Sequence, residues 1–336
     1  MATLTASQQR AAALNVITRK QRSLWLDAFD RLRRNKAAMI GLFVIIAMAL
    51  AAIFADFQLG PLHLKLAPYD PICQFYVGDQ SGCGVAGARN GPAIADPFWG
   101  QNFDPRFLLG TDRNGRDILS RLIFSARISM VIGFVPVVIY FLIGGSIGML
   151  SGYYGGRVDM LLMRVTDIVY AFPDLLLLII MMATLRNTWL GDIASGVVLI
   201  FVALALVNWV GMARLVRGQV LSLREKEFVE AARCVGVGPT RIMARHLMPN
   251  SLAPVIVQMA FIVPTAIFTE AALSFIGIGI KAPTPSWGVM INEGWVEITG
   301  EPTMVLFPAI CIAVVMLSFT FLGDGLRDAL DPRMKI

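Results

Sequence analysis

Six long apolar runs limit what this chain can fold into. They cover residues 37–55, 128–152, 158–185, 195–216, 251–280 and 304–323. A helix needs about 20 apolar residues to cross the roughly 30 Å hydrocarbon core of a bilayer. Of the 336 residues 56% are hydrophobic and 15% are charged, whereas soluble domains carry about 25% charged residues. The sequence therefore predicts an all-α polytopic membrane protein with about six transmembrane helices.

The basic residues predict how these spans are oriented. Arg31, Arg33, Arg34 and Lys36 stand directly before the first run, and positive charge beside a span marks the cytoplasmic side. The 213–250 loop and the C-terminal end are basic as well, so both termini are predicted to be cytoplasmic. The segment between the first two runs falls outside despite its arginines, because long loops cross the membrane largely regardless of charge.

The predicted organisation follows from these spans. A cytoplasmic tail covers 1–36, the first transmembrane helix 37–55, an extracytoplasmic loop 56–127, a core of five helices 128–323, and a cytoplasmic tail 324–336. A cleaved signal peptide is a second interpretation of the first run, because 51–55 contains small residues that peptidases accept. The run is long for a signal peptide and follows a long tail, which favours a retained helix.

Four cysteines and two histidines restrict the chemistry. The cysteines are too few and too scattered for a disulfide scaffold or a CxxC metal site, and His63 and His246 stand far apart, so no metal site is predicted. Cys73 and Cys83 share the predicted extracytoplasmic loop, where they either form a disulfide or remain two thiols. The net charge of +6 comes from short clusters beside apolar runs, which favours membrane lipid over nucleic acid as the partner.

The loop between the fourth and fifth runs contains a short amphipathic helix. Its apolar residues follow the i, i+3, i+4, i+7 spacing of one helical face, and they are Phe228, Ala231, Ala232 and Val235. Gly236 and the Gly-Pro pair at 238–239 end this helix, and 240–247 repeats the pattern until Pro249. Small alanines allow another backbone to approach, so docking into a protein cleft is favoured over a helix that lies on lipid.

This segment resembles the EAA loop of binding-protein-dependent ATP-binding-cassette permeases. The match is Glu230-Ala231-Ala232-x3-Gly236-x9-His246-Leu247-Met248-Pro249, in which His246 and Met248 replace the Ile and Leu of the family pattern. The stretches 109–117, 286–288 and 323–332 are similar to the C-type permease of oligopeptide/dipeptide importers. The stretch 73–98 shows no such likeness.

The resemblance implies a type I permease fold and a role in peptide import across the bacterial inner membrane. It implies that Phe228, Ala231, Ala232, Val235 and Pro249 belong to the ATPase-docking segment, that Glu230 makes a polar contact, and that Gly236 permits a bend. The implied partners are a B-type permease, two ATPase subunits and a periplasmic or lipid-anchored peptide-binding protein. The chain has no Gly-x4-Gly-Lys-Ser/Thr loop, so ATP and Mg are expected on the ATPases. No cofactor and no enzymatic activity are expected for this chain.

Polar and helix-breaking residues near the end of the fifth run predict a gate or pathway. A charge in hydrocarbon faces a cavity or a partner, so Glu270 lies in the pathway, at the permease interface, or in a structural pair. The fifth run contains Pro254 and Pro264 and ends in Gly277-Ile278-Gly279, and such breaks are tolerated in membranes only where neighbours or a cavity satisfy the freed backbone groups. Pro264, Gly277 and Gly279 are therefore the further candidates for the gate or pathway.

Two further sets of residues have alternative interpretations. Ser286, Trp287 and Gly288 follow the fifth run, and Trp287 is either a membrane-interface anchor or part of the surface for the binding protein. Arg164 and Asp167 stand three residues apart on one helical face, which favours an internal pair over substrate contact.

The substrate and the transport mechanism also have alternatives. Nickel and glutathione importers share this permease pattern with peptide importers. An ion-coupled secondary transporter would need paired repeats and ionisable residues at the midplane, and no internal repeat is visible. A membrane enzyme would need a catalytic set such as Ser/His/Asp within the spans, and none is visible.

Overall fold

The computed structural model describes residues 24–59, 62–75 and 94–331 of the chain. The α-helices in these residues are α1 (Leu24–Arg34), α2 (Lys36–Ile53), α3 (Ile118–Tyr154), α4 (Gly156–Tyr170), α5 (Asp174–Leu185), α6 (Trp189–Asp192), α7 (Val197–Arg224), α8 (Glu227–Cys234), α9 (Pro239–Ile242), α10 (Met248–Phe275), α11 (Trp287–Trp295) and α12 (Thr303–Leu330). A small antiparallel hairpin of β1 (Phe57–Leu59) and β2 (Leu62–Leu64) follows α2. The predicted all-α class is confirmed, with this hairpin as a local addition.

The described helices account for the predicted number of spans. Five helical stretches are long and apolar enough to cross a membrane, and they are Lys36–Asp56, Ile118–Tyr154, Trp189–Arg224, Pro239–Phe275 and Thr303–Leu330. The sixth candidate is broken, because α4 and α5 meet at an angle of 76°. Pro173 is the N-cap of α5. It causes this break because a proline disfavours helical geometry in the residue that precedes it.

The second span begins earlier than predicted. Helix α3 starts at Ile118 rather than at 128, and the Asp117 side chain caps it by accepting a bond from the Ser120 backbone N–H at 2.8 Å. Ser120, Arg121 and Ser125 lie inside this first part of the helix and are buried. The hydropathy of the sequence does not indicate this first part of α3, because its polar side chains are buried by other parts of the chain and not exposed to lipid.

Helices α3 and α7 pack closely along their length. Gly144, Gly148 and Gly152 recur every four residues on the contact face of α3, and a Cβ atom at any of them would collide with α7. Small residues at this spacing let two membrane helices approach until their backbones touch. This pair forms the centre of the bundle; α10 packs against both helices, and α12 packs against α2 and α10.

Helix α10 begins differently from the prediction. A π-helical turn, Met243–Leu247, joins α9 directly to α10, so 240–247 is not a separate short helix that ends at a proline. Pro249 is the second residue of α10 and follows the π-helical turn almost directly. The segment after α8 therefore continues into a membrane span.

Candidate functional site

Helix α10 connects two ends of the bundle that contain the predicted site residues. Its first turn lies at the end where α7 finishes and α8 follows, which is called the α8 end. Its last turn lies at the end where α11 follows, which is called the α11 end.

Helix α8 buries one face against its own chain. Val229 is fully buried and Ala232 is 9% exposed, and both pack in one cluster with Val220 of α7 and with Ile242 and Leu247 before α10. The predicted apolar stripe is wrong in this respect, because Ala232 faces inward and its buried companion is Val229. Since the cluster joins α8 to the neighbouring parts of α7 and α10, a displacement of α8 would displace both.

The opposite face of α8 is exposed. Phe228, Ala231 and Val235 lie on it at i, i+3 and i+7, and Val235 is 83% exposed. The Phe228 ring lies 6.5 Å from the His246 ring, centroid to centroid, so the aromatic end of this face continues onto the segment before α10. An apolar helical face remains without cover from the described part of the chain.

A polar recess of about 520 Å³ borders this exposed face. Its lining residues are Tyr153, Tyr154, Arg224, Glu225, Glu230 and Arg233. The Arg224 guanidinium donates to the Gly152 and Tyr153 carbonyl oxygens at 3.1 and 3.3 Å, which holds the C-terminal end of α7 against α3. The recess presents both carboxylates and guanidinium groups, so it suits a partner's polar or charged side chain.

Gly236 ends α8 in a conformation that favours glycine. Its φ is +82°, in the left-handed region where other residues are strained. Its N–H donates to the Arg233 carbonyl at 2.9 Å, and the Val237 N–H donates to the Ala232 carbonyl at 3.0 Å. The space around Gly236 is open, so the backbone angle and not crowding requires glycine.

Glu270 of α10 forms hydrogen bonds at the α11 end of the bundle. The side chain is fully buried, and its Oε1 accepts hydrogen bonds from the Ser274 and Ser286 hydroxyls at 2.7 and 2.8 Å. The Ser286 oxygen also accepts a bond from the Val289 N–H, which caps α11. Glu270 therefore connects a membrane span to a short helix, and its bonded partners in the described residues are hydroxyls rather than a cation.

The residues 286–288 are buried, so their predicted role as an exposed surface is wrong. Ser286 and Trp287 are both fully buried. The Trp287 indole N–H donates to the Leu122 carbonyl of α3 at 3.3 Å, and a Cβ on Gly288 would lie 2.6 Å from the Ala271 Cα. Because α11 folds back between α3, α10 and α12, Trp287 is neither a membrane-interface anchor nor a docking residue.

Two glycines, and not Pro264, end helix α10. The helix runs without interruption from Met248 to Phe275 and includes the buried Pro264. Gly277 follows with a φ of +88°, and its carbonyl accepts a bond from the Arg186 guanidinium. Gly279 packs directly on Ser274, where a Cβ would collide. The break therefore lies at 276–279 and not at Pro254 or Pro264, through which the helix continues, while the role of this region as a gate or pathway stays a prediction.

Sequence reasoning missed a buried charge network at the α11 end. Asp112 Oδ2 lies 2.7 Å from Arg116 and 2.5 Å from Arg121, and Glu293 Oε2 lies 2.7 Å from each of these arginines. Asp112, Arg116 and Arg121 are buried. The sequence does indicate a charged cluster, since four of the nine residues in 109–117 are charged. It does not indicate Glu293 as their partner, because this residue is distant in the sequence.

Ion pairs also join α4 to α7. Arg217 contacts Asp159 at 2.6 Å, and Arg214 contacts Asp167 at 2.7 Å. The predicted pair between Arg164 and Asp167 is wrong, because Asp167 reaches across to α7 instead.

The remaining chemistry-bearing residues give one disulfide and no metal cluster in the described ranges. Cys73 is disulfide-bonded, and Cys83 lies outside the described residues. Cys234 and Cys311 are free. Within residues 24–59, 62–75 and 94–331, no three His, Cys, Asp or Glu residues are grouped so that they could hold a metal ion.

Two known protein families match large parts of this chain. Residues 144–336 match the family described as "Binding-protein-dependent transport system inner membrane component". Residues 23–80 match "N-terminal TM domain of oligopeptide transport permease C".

Several curated relatives align over nearly their full length. The oligopeptide transport system permease protein OppC of Bacillus subtilis (strain 168) is 40% identical over 95% of this chain and 93% of its own. The dipeptide transport system permease protein DppC of the same organism is 38% identical over 98% and 92%. The glutathione transport system permease protein GsiD of Escherichia coli O6:K15:H31 is 36% identical over 97% and 98%. The chain, a multi-pass membrane protein, therefore belongs to the family of binding-protein-dependent transport system inner membrane components.

Proposed function

We propose that this chain is a C-type permease subunit of an ATP-binding-cassette importer for short peptides. It forms half of the translocation pathway in the bacterial inner membrane, and both of its termini lie in the cytoplasm. The names of the relatives support peptides as the substrate class, because two relatives are oligopeptide and dipeptide permeases. The α8 end is the cytoplasmic end, since the 213–250 loop is rich in arginine.

The observation that carries the proposal is the division of α8 into two faces. Its inner face, Val229 and Ala232, is fixed to α7 and to the start of α10. Its outer face, Phe228, Ala231 and Val235, is free to dock into a groove of an ATPase. An element held firmly on one side and bound on the other transmits a rigid-body movement into the bundle, which is how small interface shifts bias a bistable structure.

The polar recess supplies the second half of the docking surface. Glu230 and Arg233 lie on α8, and Arg224 and Glu225 lie at the end of α7, all around the same recess. A charged side chain of the ATPase that enters it would fix the rotation of α8, while the apolar face supplies contact area. Glu230 is the residue of the matched EAA pattern in this recess.

The other components follow from this assignment. Two ATPase subunits hold ATP and Mg, a B-type permease supplies the other half of the pathway, and a periplasmic or lipid-anchored peptide-binding protein delivers the substrate. The role of this chain is coupling and passage, without catalysis.

Glutathione is a second candidate substrate. The glutathione permease GsiD aligns with 97% of this chain at 36% identity, and glutathione is itself a modified tripeptide. Uptake of labelled di-, tri- and pentapeptides and of glutathione into vesicles that contain the complete importer would separate the two candidates.

Cysteine crosslinking tests the coupling surface. In a background with Cys234→Ser and Cys311→Ser, Ala231→Cys in the complete importer is expected to crosslink to the ATPase. Ala232→Cys is the matched control, because the adjacent residue faces the chain's own core and should give little or no product. No crosslink from Ala231→Cys under conditions where uptake proceeds would refute the docking proposal, and equal crosslinking from both positions would refute the assignment of faces.

A further inference from the structure

The segment between β2 and α3 displays large apolar side chains at its surface. Phe98, Trp99 and Leu108 are 59%, 56% and 51% exposed, and Ile94 and Phe103 are exposed as well. The same segment has an apolar core of its own, in which Phe75, Phe107 and Tyr69 pack ring against ring. Phe107 is fully buried, so the adjacent Leu108 and the Phe98–Trp99 pair remain outside a core that is already formed.

The exposed side chains stand on an ordered scaffold. The Phe98 N–H donates to the Leu108 carbonyl at 3.2 Å, and Asp96 and Asn102 are joined both by backbone atoms and by the Asp96 carboxylate. The Phe98 and Trp99 rings contact each other edge to face, with centroids 4.5 Å apart. These residues therefore form one surface, which is called the aromatic ledge: Phe98, Trp99 and Leu108.

The ledge lies against the first turns of a membrane span. The Trp99 ring is 5.9 Å from the Phe307 ring, and Phe307 is the fifth residue of α12, which begins at Thr303. At 1.5 Å rise per residue, Phe307 stands about 6 Å from the beginning of the helix. The apolar part of this helix, 304–323, is about as long as the hydrocarbon core is thick, so the first turn of α12 is expected at the boundary between the core and the headgroups.

Helix α12, which Trp99 contacts through Phe307, carries an exposed apolar stripe. Leu306, Ile310 and Leu317 are exposed on it, with the spacing of one helical face. Glu301 lies two residues before this helix begins. Burial raises the pKa of its carboxyl group, and the nearby negative charge of Asp96 in the loop raises it further. The loop that carries the ledge therefore packs against the start of α12.

We propose that the aromatic ledge is a membrane-interface anchor that inserts into the headgroup–acyl boundary of the leaflet at the α11 end. Tryptophan is favoured at this boundary because its ring is apolar and its N–H is polar, and phenylalanine and leucine provide the apolar side chains that insert there. We choose lipid over protein as the occupant because the ledge contacts the first turns of a membrane span whose own exposed side chains are apolar. Anchoring would hold this loop, which also contributes Asp112 and Arg116 to the buried charge network, at a fixed height relative to the bilayer. The proposal depends only on α12 being a span and not on the substrate or the ATPase.

Site-directed spin labelling in lipid nanodiscs tests the anchor. The complete importer, with Cys234→Ser and Cys311→Ser, carries a nitroxide at Leu108→Cys or, as the control, at Asn102→Cys in the same loop. In nanodiscs of phosphatidylethanolamine and phosphatidylglycerol, we expect the ratio of oxygen to nickel-chelate accessibility to be at least two-fold higher at 108 than at 102. Equal ratios would overturn the proposal by placing the ledge in water. Low accessibility of the 108 label to both reagents would overturn it as well, because protein would then cover the ledge.

A second measurement uses a conservative variant and no label. Tryptophan fluorescence of the wild-type importer and of Trp99→Phe is recorded in nanodiscs with ordinary or with dibrominated phosphatidylcholine. The fluorescence lost on substitution, which belongs to Trp99, should be quenched at least two-fold by the brominated lipid. If that fraction is the same in both lipids, the ring does not contact the bilayer and the proposal fails.

Discussion

The Glu293 carboxylate lies 2.7 Å from the Arg121 guanidinium, so an ion pair joins α11 to the first turn of α3. Arg116 bonds the same carboxylate at 2.7 Å, and Asp112 neutralises both arginines from the other side. Two negative and two positive side chains are thus balanced within a largely buried cluster. The network holds α11 through Glu293 near its C-terminal end, whereas Glu270 bonds Ser286 at its N-cap, so polar contacts near both ends fix this short helix.

Removing one charge from the network is expected to destabilise the protein. Glu293→Gln leaves the buried Arg121 with only Asp112, and loss of one partner of a buried pair costs about 3–5 kcal/mol. Glu293 is only part-buried, so we expect the lower end of this range. The thermal unfolding midpoint of the purified protein in detergent measures the effect.

An exposed ion pair of the same loop supplies the control. Asp104 contacts Arg106 at 2.6 Å, and exposed pairs contribute about 0–1 kcal/mol. Asp104→Asn should therefore shift the midpoint by much less than Glu293→Gln. Similar shifts in the two variants would mean that the network adds no more stability than a surface pair.

The two tryptophans of α11 should respond differently to truncation. Trp287 is fully buried, whereas Trp295 is 54% exposed. Trp287→Ala leaves a large cavity and should cost about 3–5 kcal/mol, and Trp295→Ala should cost much less. Unfolding midpoints measure both. If Trp287→Ala retained wild-type stability and lost only the contact with a binding protein, Trp287 would be a surface residue after all.

The sequence reveals the spans because apolar length alone identifies a membrane helix. It does not reveal the start of α3, since Ser120, Arg121 and Ser125 have the composition of a water-exposed loop while other elements bury them. The amphipathic α1 lies inside the predicted cytoplasmic tail and was missed, although its apolar spacing is visible in Leu24–Arg34.

The orientation of α8 illustrates a different limit. Phe228, Ala231 and Val235 form one apolar face, and Val229 and Ala232 form another. Both faces satisfy the helical period, so the period cannot select which one the chain buries. Only the positions of α7 and α10 decide this. The same holds for Trp287, whose burial depends on a fold-back of α11 that local sequence does not encode.

Glu270 should tolerate an isosteric change better than truncation. Glu270→Gln keeps an oxygen that accepts bonds from the Ser274 and Ser286 hydroxyls, whereas Glu270→Ala leaves both without this acceptor. A buried polar group without a partner costs about 1–3 kcal/mol. We expect Glu270→Ala to lower both the unfolding midpoint and peptide uptake, and Glu270→Gln to retain most of each. A charge that itself acts in transport would give the opposite pattern for uptake, with Gln as inactive as Ala.

The end of α8 allows a comparison of two glycines that differ in backbone angle and not in space. Gly236 has a φ of +82° and Gly238 has a φ of −66°, and a Cβ would meet no atom within 4 Å at either position. Gly236→Ala should therefore strain the backbone by about 1–2 kcal/mol, while Gly238→Ala should be nearly neutral. Because α8 is short and exposed on its outer face, this strain is expected to act on coupling more than on global stability. We predict normal membrane insertion of both variants, with peptide uptake per ATP hydrolysed reduced in Gly236→Ala alone.

Gly236→Pro should abolish uptake, because proline cannot adopt this φ and also removes the N–H that bonds the Arg233 carbonyl. Vesicles that contain the complete importer, assayed for uptake and ATPase activity together, provide the measurement. Full coupling in Gly236→Pro would show that the turn after α8 has no part in transmitting the movement.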